Sequence, residues 1–144
     1  MKFTNGLWLI KDGIDAHYAK DMFEYSRTPE GLRAIVSTTP MRTRGATLNS
    51  TVITLDITSP MKNVIGVRIR HFFGDTLEAS RPELGHEDVE PIIVTDGRNA
   101  EFTSGDLTLK MNGDDMFTMD FMCGDRVITS SDTKSVAYFN DRNT

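Results

Sequence analysis

Thr51-Val-Ile-Thr-Leu-Asp-Ile-Thr-Ser-Pro60 and Met61-Lys-Asn-Val-Ile-Gly-Val-Arg-Ile-Arg70, continuing into His71-Phe-Phe-Gly74, decide the fold. Two runs rich in β-branched residues flank a breaker, Ser59-Pro60-Met61-Lys62-Asn63, which is the pattern of an antiparallel hairpin. In the first run Ile53, Leu55 and Ile57 share a face, with Thr54 and Asp56 on the other. In the second, Ile65, Val67 and Ile69 share a face while Arg68 and Arg70 point away. A slip of one residue would turn an apolar row to solvent, so the pattern fixes the register. It brings Asp56 close to Arg68, opposite or on the diagonal, with Ile53, Leu55, Val67 and Ile69 buried beneath.

Outward from this hairpin the chain reads as short strands and turns. Gly6-Leu-Trp-Leu-Ile10 is a first strand, and Lys11-Asp-Gly13 a turn. Ile14 to Ser26 has mixed periodicity: it is taken as a strand, although Ala16, Ala19, Lys20 and Met22 would also suit a helix. Thr28-Pro-Glu-Gly31 turns the chain into a strand from Leu32 to Thr38, paired with the one before it, and Pro40 to Gly45 is a loop. Asp75 to Pro91, acidic and poor in apolar anchors, reads as a long surface excursion. Strands then recur at Ile92–Val94, Ala100–Thr103, Leu107–Met111, Met116–Met122, Arg126–Thr129 and Val136–Phe139, with a hairpin turn at Asn112-Gly-Asp-Asp115. About ten strands without βαβ alternation indicate an all-β antiparallel sandwich.

The 144 residues fit one domain with a real core. A hydrophobic fraction of 38% and a net charge of −5, with acids and bases interspersed, leave no basic footprint for nucleic acid. No apolar run approaches the roughly 20 residues of a membrane span. A single cysteine, Cys123, and an N-terminus without an apolar signal region point to the cytoplasm.

The residues offer no catalytic centre. His17, His71 and His86 show no metal-ligand spacing, and His71 reads as a strand-end packing residue. Asn112-Gly-Asp-Asp115 lacks the ligand spacing and closing glutamate of a calcium loop. Asp56, Glu101 and Asp120 lie on outward strand positions, and no spacing selects a glycosidase pair among them. Cys123, beside a Gly-Asp turn, reads as a strand-end filler. No metal and no cofactor are expected.

The order of elements is more specific than any one of them. Gly6-Leu-Trp-Leu-Ile10, Leu55-Asp-Ile-Thr-Ser-Pro60, Ile65-Gly-Val-Arg-Ile-Arg-His-Phe-Phe-Gly74, Asn99-Ala-Glu-Phe-Thr-Ser-Gly-Asp-Leu107, Met119-Asp-Phe121 and Asp125-Arg-Val-Ile-Thr129 follow one another through nearly the whole chain. Together they resemble the N-terminal domain of the bacterial alpha-xylosidases and alpha-glucosidases of glycoside hydrolase family 31. The resemblance implies a β-sandwich of the galactose-mutarotase-like type, residues 1–144 being one N-terminal domain of a longer enzyme. Its partner would be the (β/α)8 catalytic barrel of the same polypeptide, which holds both catalytic aspartates, so this chain alone would be inactive and the alpha-glycoside would be met only through the parent. A homo-oligomeric parent is open. The resemblance further implies that one loop of this domain reaches toward the sugar. By position that loop is Thr129-Ser-Ser-Asp-Thr-Lys-Ser135, with Thr129, Ser130, Ser131, Asp132 and Thr133 on the substrate side. Hydroxyls and one carboxylate suit hydrogen bonding to a sugar, and the same composition describes any solvated turn. The rival function is a free-standing carbohydrate-binding module with Trp8, Tyr18 and Phe72 as an aromatic platform.

Overall fold

The computed structural model describes residues 2–5, 9–71, 85, 87–114 and 116–143. Its strands are β1 (Thr4–Asn5), β2 (Leu9–Ile10), β3 (Ile14–Tyr18), β4 (Asp21–Thr28), β5 (Gly31–Ser37), β6 (Val52–Thr58), β7 (Gly66–Arg70), β8 (Ile92–Asp96), β9 (Asn99–Ser104), β10 (Leu107–Asn112), β11 (Thr118–Cys123), β12 (Arg126–Ser131) and β13 (Ala137–Asp141). All pairings are antiparallel. A four-stranded sheet in the order β4-β5-β6-β7 faces a five-stranded sheet in the order β12-β11-β10-β9-β8, and two-stranded ribbons β13-β3 and β1-β2 flank them. The expected antiparallel β-sandwich is the fold.

Alternation builds the core. Leu32, Ala34 and Val36 of β5 and Ile53, Leu55 and Ile57 of β6 are at most 1% exposed, and they meet Phe102, Leu109, Met111 and Met119 of the other sheet in one cluster. The sheets approach closely at Gly31, whose φ of +149° excludes ordinary side chains and where a Cβ would strike the Ile57 carbonyl and lie 3.2 Å from the Phe102 ring. A buried hydroxyl pair, Ser59 Oγ to Ser104 Oγ at 2.7 Å, crosses between the layers, and Ser104 Oγ donates to the Met61 carbonyl at 3.2 Å. Along the β4 and β8 edges, Arg27 donates to the Ile93 carbonyl at 2.8 Å and Arg98 pairs with the buried Asp21.

Several expectations need correction. The run Ile14 to Ser26 is not one strand. It breaks at Ala19-Lys20, where the backbone binds Val136 O (2.8 Å), Ser37 O (2.9 Å) and Phe117 N (3.0 Å), so β3 and β4 enter different sheets. The loop from Pro40 leads into a 3₁₀ turn at Arg44–Asn49. In the central hairpin the register holds, Asp56 standing opposite Arg68, but the carboxylate pairs with Arg33 and Arg70 instead. Arg33 is the direct neighbour across β5, and Arg70 reaches over the diagonal. Ile69 is 46% exposed and Val67 half-buried, because β7 is the edge of its sheet. Of the acidic excursion, 75–84 and His86 lie outside the described residues, as do Trp8 and Phe72. Glu87 is held to Pro60 O at 2.9 Å, and its carboxylate accepts from Lys62 N at 3.1 Å.

Candidate functional site

The hydroxyl-rich segment is half strand and half turn. Thr129, Ser130 and Ser131 close β12, pairing with Phe121, Asp120 and Met119. Ser130 Oγ donates to the Asp120 carboxylate. Beyond β12 the chain folds into a four-residue turn in which Ser135 N donates to Asp132 O at 3.0 Å. Lys134 is left-handed at φ +66°, the third position that some turn types require to be so. Asp132 Oδ1 accepts from Thr133 N at 2.6 Å, which stiffens the turn. Val136, 6% exposed, anchors its far end in the core. Thr129, Ser130, Asp132 and Thr133 are exposed and Ser131 is half-buried. The turn leans on the β3–β13 ribbon, with Lys134 Nζ 5.9 Å from the Tyr18 ring centroid.

That ribbon is aromatic, a feature missed in the sequence because its members are far apart in the chain. Phe3 stacks on Phe139 at 4.9 Å, Tyr18 meets Phe139 edge-on at 6.2 Å, and Tyr138 lies between His17 (4.6 Å) and His71 (4.2 Å). His71 therefore packs as a strand-end residue. Tyr18, crossed by Lys134 and edged by Phe139, is not an open platform for a sugar ring.

The outward carboxylates are each partnered. Glu101 pairs with Lys110 at 3.3 Å, and Asp120 takes the Ser130 hydroxyl. Burial alone would push the Asp56 carboxyl up, but hydrogen bonds from Arg33 and Arg70, reinforced by their charges, hold it below the usual carboxylate range. Asp56 forms part of the wall of a hollow of about 900 Å³ over the four-stranded sheet, with Arg33, Arg68, Arg70, Thr28 and Glu30. A hydrogen bond from Arg142 likewise keeps Asp15 low, while burial raises the Tyr25 hydroxyl well above its ordinary value. Among the described residues no three His, Cys, Asp or Glu side chains are grouped to hold a metal ion. Asn112-Gly113-Asp114 is a turn: Asn112 Oδ1 accepts from Asp114 N at 3.0 Å. Cys123 is exposed at the end of β11. No helix among the described residues is long and apolar enough to cross a membrane.

Fold and site thus define a β-sandwich domain with a hydroxyl-rich turn and partnered surface carboxylates. No family model matches the chain. It is 36% identical over 141 residues to the alpha-xylosidase XylQ of Lactiplantibacillus pentosus, covering 95% of this chain and 18% of that protein. It is 32% identical over 116 residues to an alpha-xylosidase of Emericella nidulans, covering 78% of this chain and 14% of that protein. The chain therefore spans less than a fifth of the length of the curated relatives it matches. Over the stretch it shares with them, it belongs with the alpha-xylosidases of glycoside hydrolase family 31.

Proposed function

We propose that this chain is the non-catalytic N-terminal domain of a cytoplasmic retaining alpha-glycosidase of alpha-xylosidase type. It packs on the catalytic barrel of the same polypeptide and offers Thr129–Thr133 as part of the wall of the sugar pocket. The observation that carries this is the match to alpha-xylosidases along 95% of the chain but only 18% of a relative's length. Retaining hydrolysis needs two carboxyls about 5 Å apart, one as nucleophile and one as acid and base. The outward carboxylates Asp56, Glu101 and Asp120 are committed to structural partners, which supports a supporting role for the domain. The packed state of Tyr18 weakens the carbohydrate-module alternative.

Two measurements test it. The 144-residue chain should not hydrolyse an aryl alpha-xyloside or alpha-glucoside, whereas the longer natural polypeptide should. Turnover by the short chain that disappears with Asp56→Asn or Asp120→Asn would overturn the reading. In the longer polypeptide, alanine at Ser131, Asp132 and Thr133 together should raise KM or lower kcat/KM with the domain still folded, each lost hydrogen bond costing about 0.5–1.5 kcal/mol. Unchanged kinetics would return the segment to an ordinary turn.

A further inference from the structure

The outer face of the five-stranded sheet carries two rows that run across all its strands. Register places Ile92, Thr103, Thr108, Met122 and Val127 side by side in one row. The next row is Val94, Glu101, Lys110, Asp120 and Ser130. Ile92 is 66%, Val94 56% and Val127 51% exposed, and Ile128, the extra residue where β12 bulges against β11, is 52% exposed. β12 buries none of its side chains. The polar groups between these apolar ends already satisfy one another. Thr103 and Thr108 hydroxyls lie 2.9 Å apart, Glu101 pairs with Lys110, and Asp120 accepts from Ser130.

We infer that this face docks the remainder of the polypeptide that the alpha-xylosidase relatives possess, an inference that rests on the reading proposed above. Single exposed apolar side chains are ordinary on a protein surface, but a face with apolar residues at both edges and internally paired polar groups between them can be covered without stranding a charge. The opposite outer face is a poorer candidate, since the hollow there is lined by the charged Glu30, Arg33, Asp56, Arg68 and Arg70, groups that a partner would have to match. The relatives extend far beyond the stretch matched here, which spans 18% and 14% of their lengths, so an occupant of domain size is available. Interfaces between domains of one chain bury roughly 600–1,500 Å². Five strands at about 4.8 Å spacing give a face about 19 Å across, the right scale for one. Docking there would also set the Asp132–Ser135 turn, which follows β12 directly, at the border of the partner.

Hydroxyl-radical footprinting of the 144-residue chain and of the longer natural polypeptide tests this. Ile92, Val94, Met122 and Val127 should be oxidised severalfold more slowly in the longer protein, while Phe23 and Leu48, exposed elsewhere, should react alike in both. Val94→Lys with Val127→Lys should leave the melting temperature of the short chain unchanged and restore fast oxidation of Ile92 and Met122 in the long one. Equal oxidation in both proteins would overturn the inference. So would a concentration-dependent dimer of the short chain that protects these same residues, because the occupant would then be a second copy. Hydrolysis of an aryl alpha-xyloside by the longer protein is read separately: activity with an unprotected face sinks the docking face alone, and protection without activity sinks the glycosidase reading alone.

Discussion

Asp56 shows how one carboxylate can hold three strands at once. It sits on β6 with Arg33 on β5 and Arg70 on β7 as ion-pair partners, while Arg68, directly opposite in the register, takes no ion pair among the described residues. The folded state holds this carboxyl below its ordinary value, so its contribution to stability is complete above the ordinary carboxylate range. It is lost as pH falls through the depressed folded value. Melting temperatures measured from pH 7 down to pH 2 should therefore show wild type above Asp56→Asn at neutral pH and the two converging in acid; parallel curves would count against the network. Asp21 likewise ties separate segments together, being 5% exposed, paired with Arg98 and accepting from Met41 N at 2.6 Å. Replacing Arg98 with methionine leaves that carboxylate short of a partner and should cost about 1–3 kcal/mol by urea unfolding.

At the scale of strands, exposure separates the centre of the sheet from its edge. Leu55 on β6 is fully buried, whereas Ile69, its register partner on β7, is 46% exposed. Leu55→Ala should cost about 2–5 kcal/mol and Ile69→Ala far less, a contrast that chemical denaturation reads directly. Gly31→Ala forces a side chain into a φ of +149° and against the Ile57 carbonyl, and should cost about 1–3 kcal/mol or more. The hairpin β6–β7 was legible in the sequence because period-2 alternation fixes a register locally. The choice of Arg33 and Arg70 by Asp56 was not, since nothing local says that β5 lies on the other side of β6. The break at Ala19-Lys20 was equally hidden: no glycine or proline marks it, and the backbone partners that impose it come from Ser37, Phe117 and Val136. In the candidate site the turn was visible in its composition. The pairing of Ser130 with Asp120 and the lysine over Tyr18 depend on pairings distant in sequence.

Over the whole molecule, the ends of the chain are joined. β13 pairs with β3 from Ala137 opposite Tyr18 to Asp141 opposite Ile14, Arg142 N reaches Gly13 O at 2.9 Å, and Arg142 pairs with Asp15. Among the described residues the ribbon meets the sandwich through Lys20 N to Ser37 O, Phe117 N to Lys20 O, the buried Ala19 and Val136 side chains, Tyr138 packed against the core, and the stack of His71 on Tyr138. Most of the main core comes from the two large sheets, Leu32, Val36, Ile53, Leu55, Ile57, Phe102 and Leu109 among it. Stability should therefore be uneven, with the ribbon opening at lower free energy than the sandwich. A chain ending at Val136 loses β13 and, with it, Phe139 from Phe3 and Tyr18, and Tyr138 from both histidines. Hydrogen exchange on that truncated protein should show the Asp15 and His17 amides, which face β13 in the ladder, unprotected and Ala34, Leu55, Phe102 and Leu109 still slow. Loss of protection throughout would mean that β13 is part of one cooperative unit with the core, and that the ribbon closes the fold rather than resting on it.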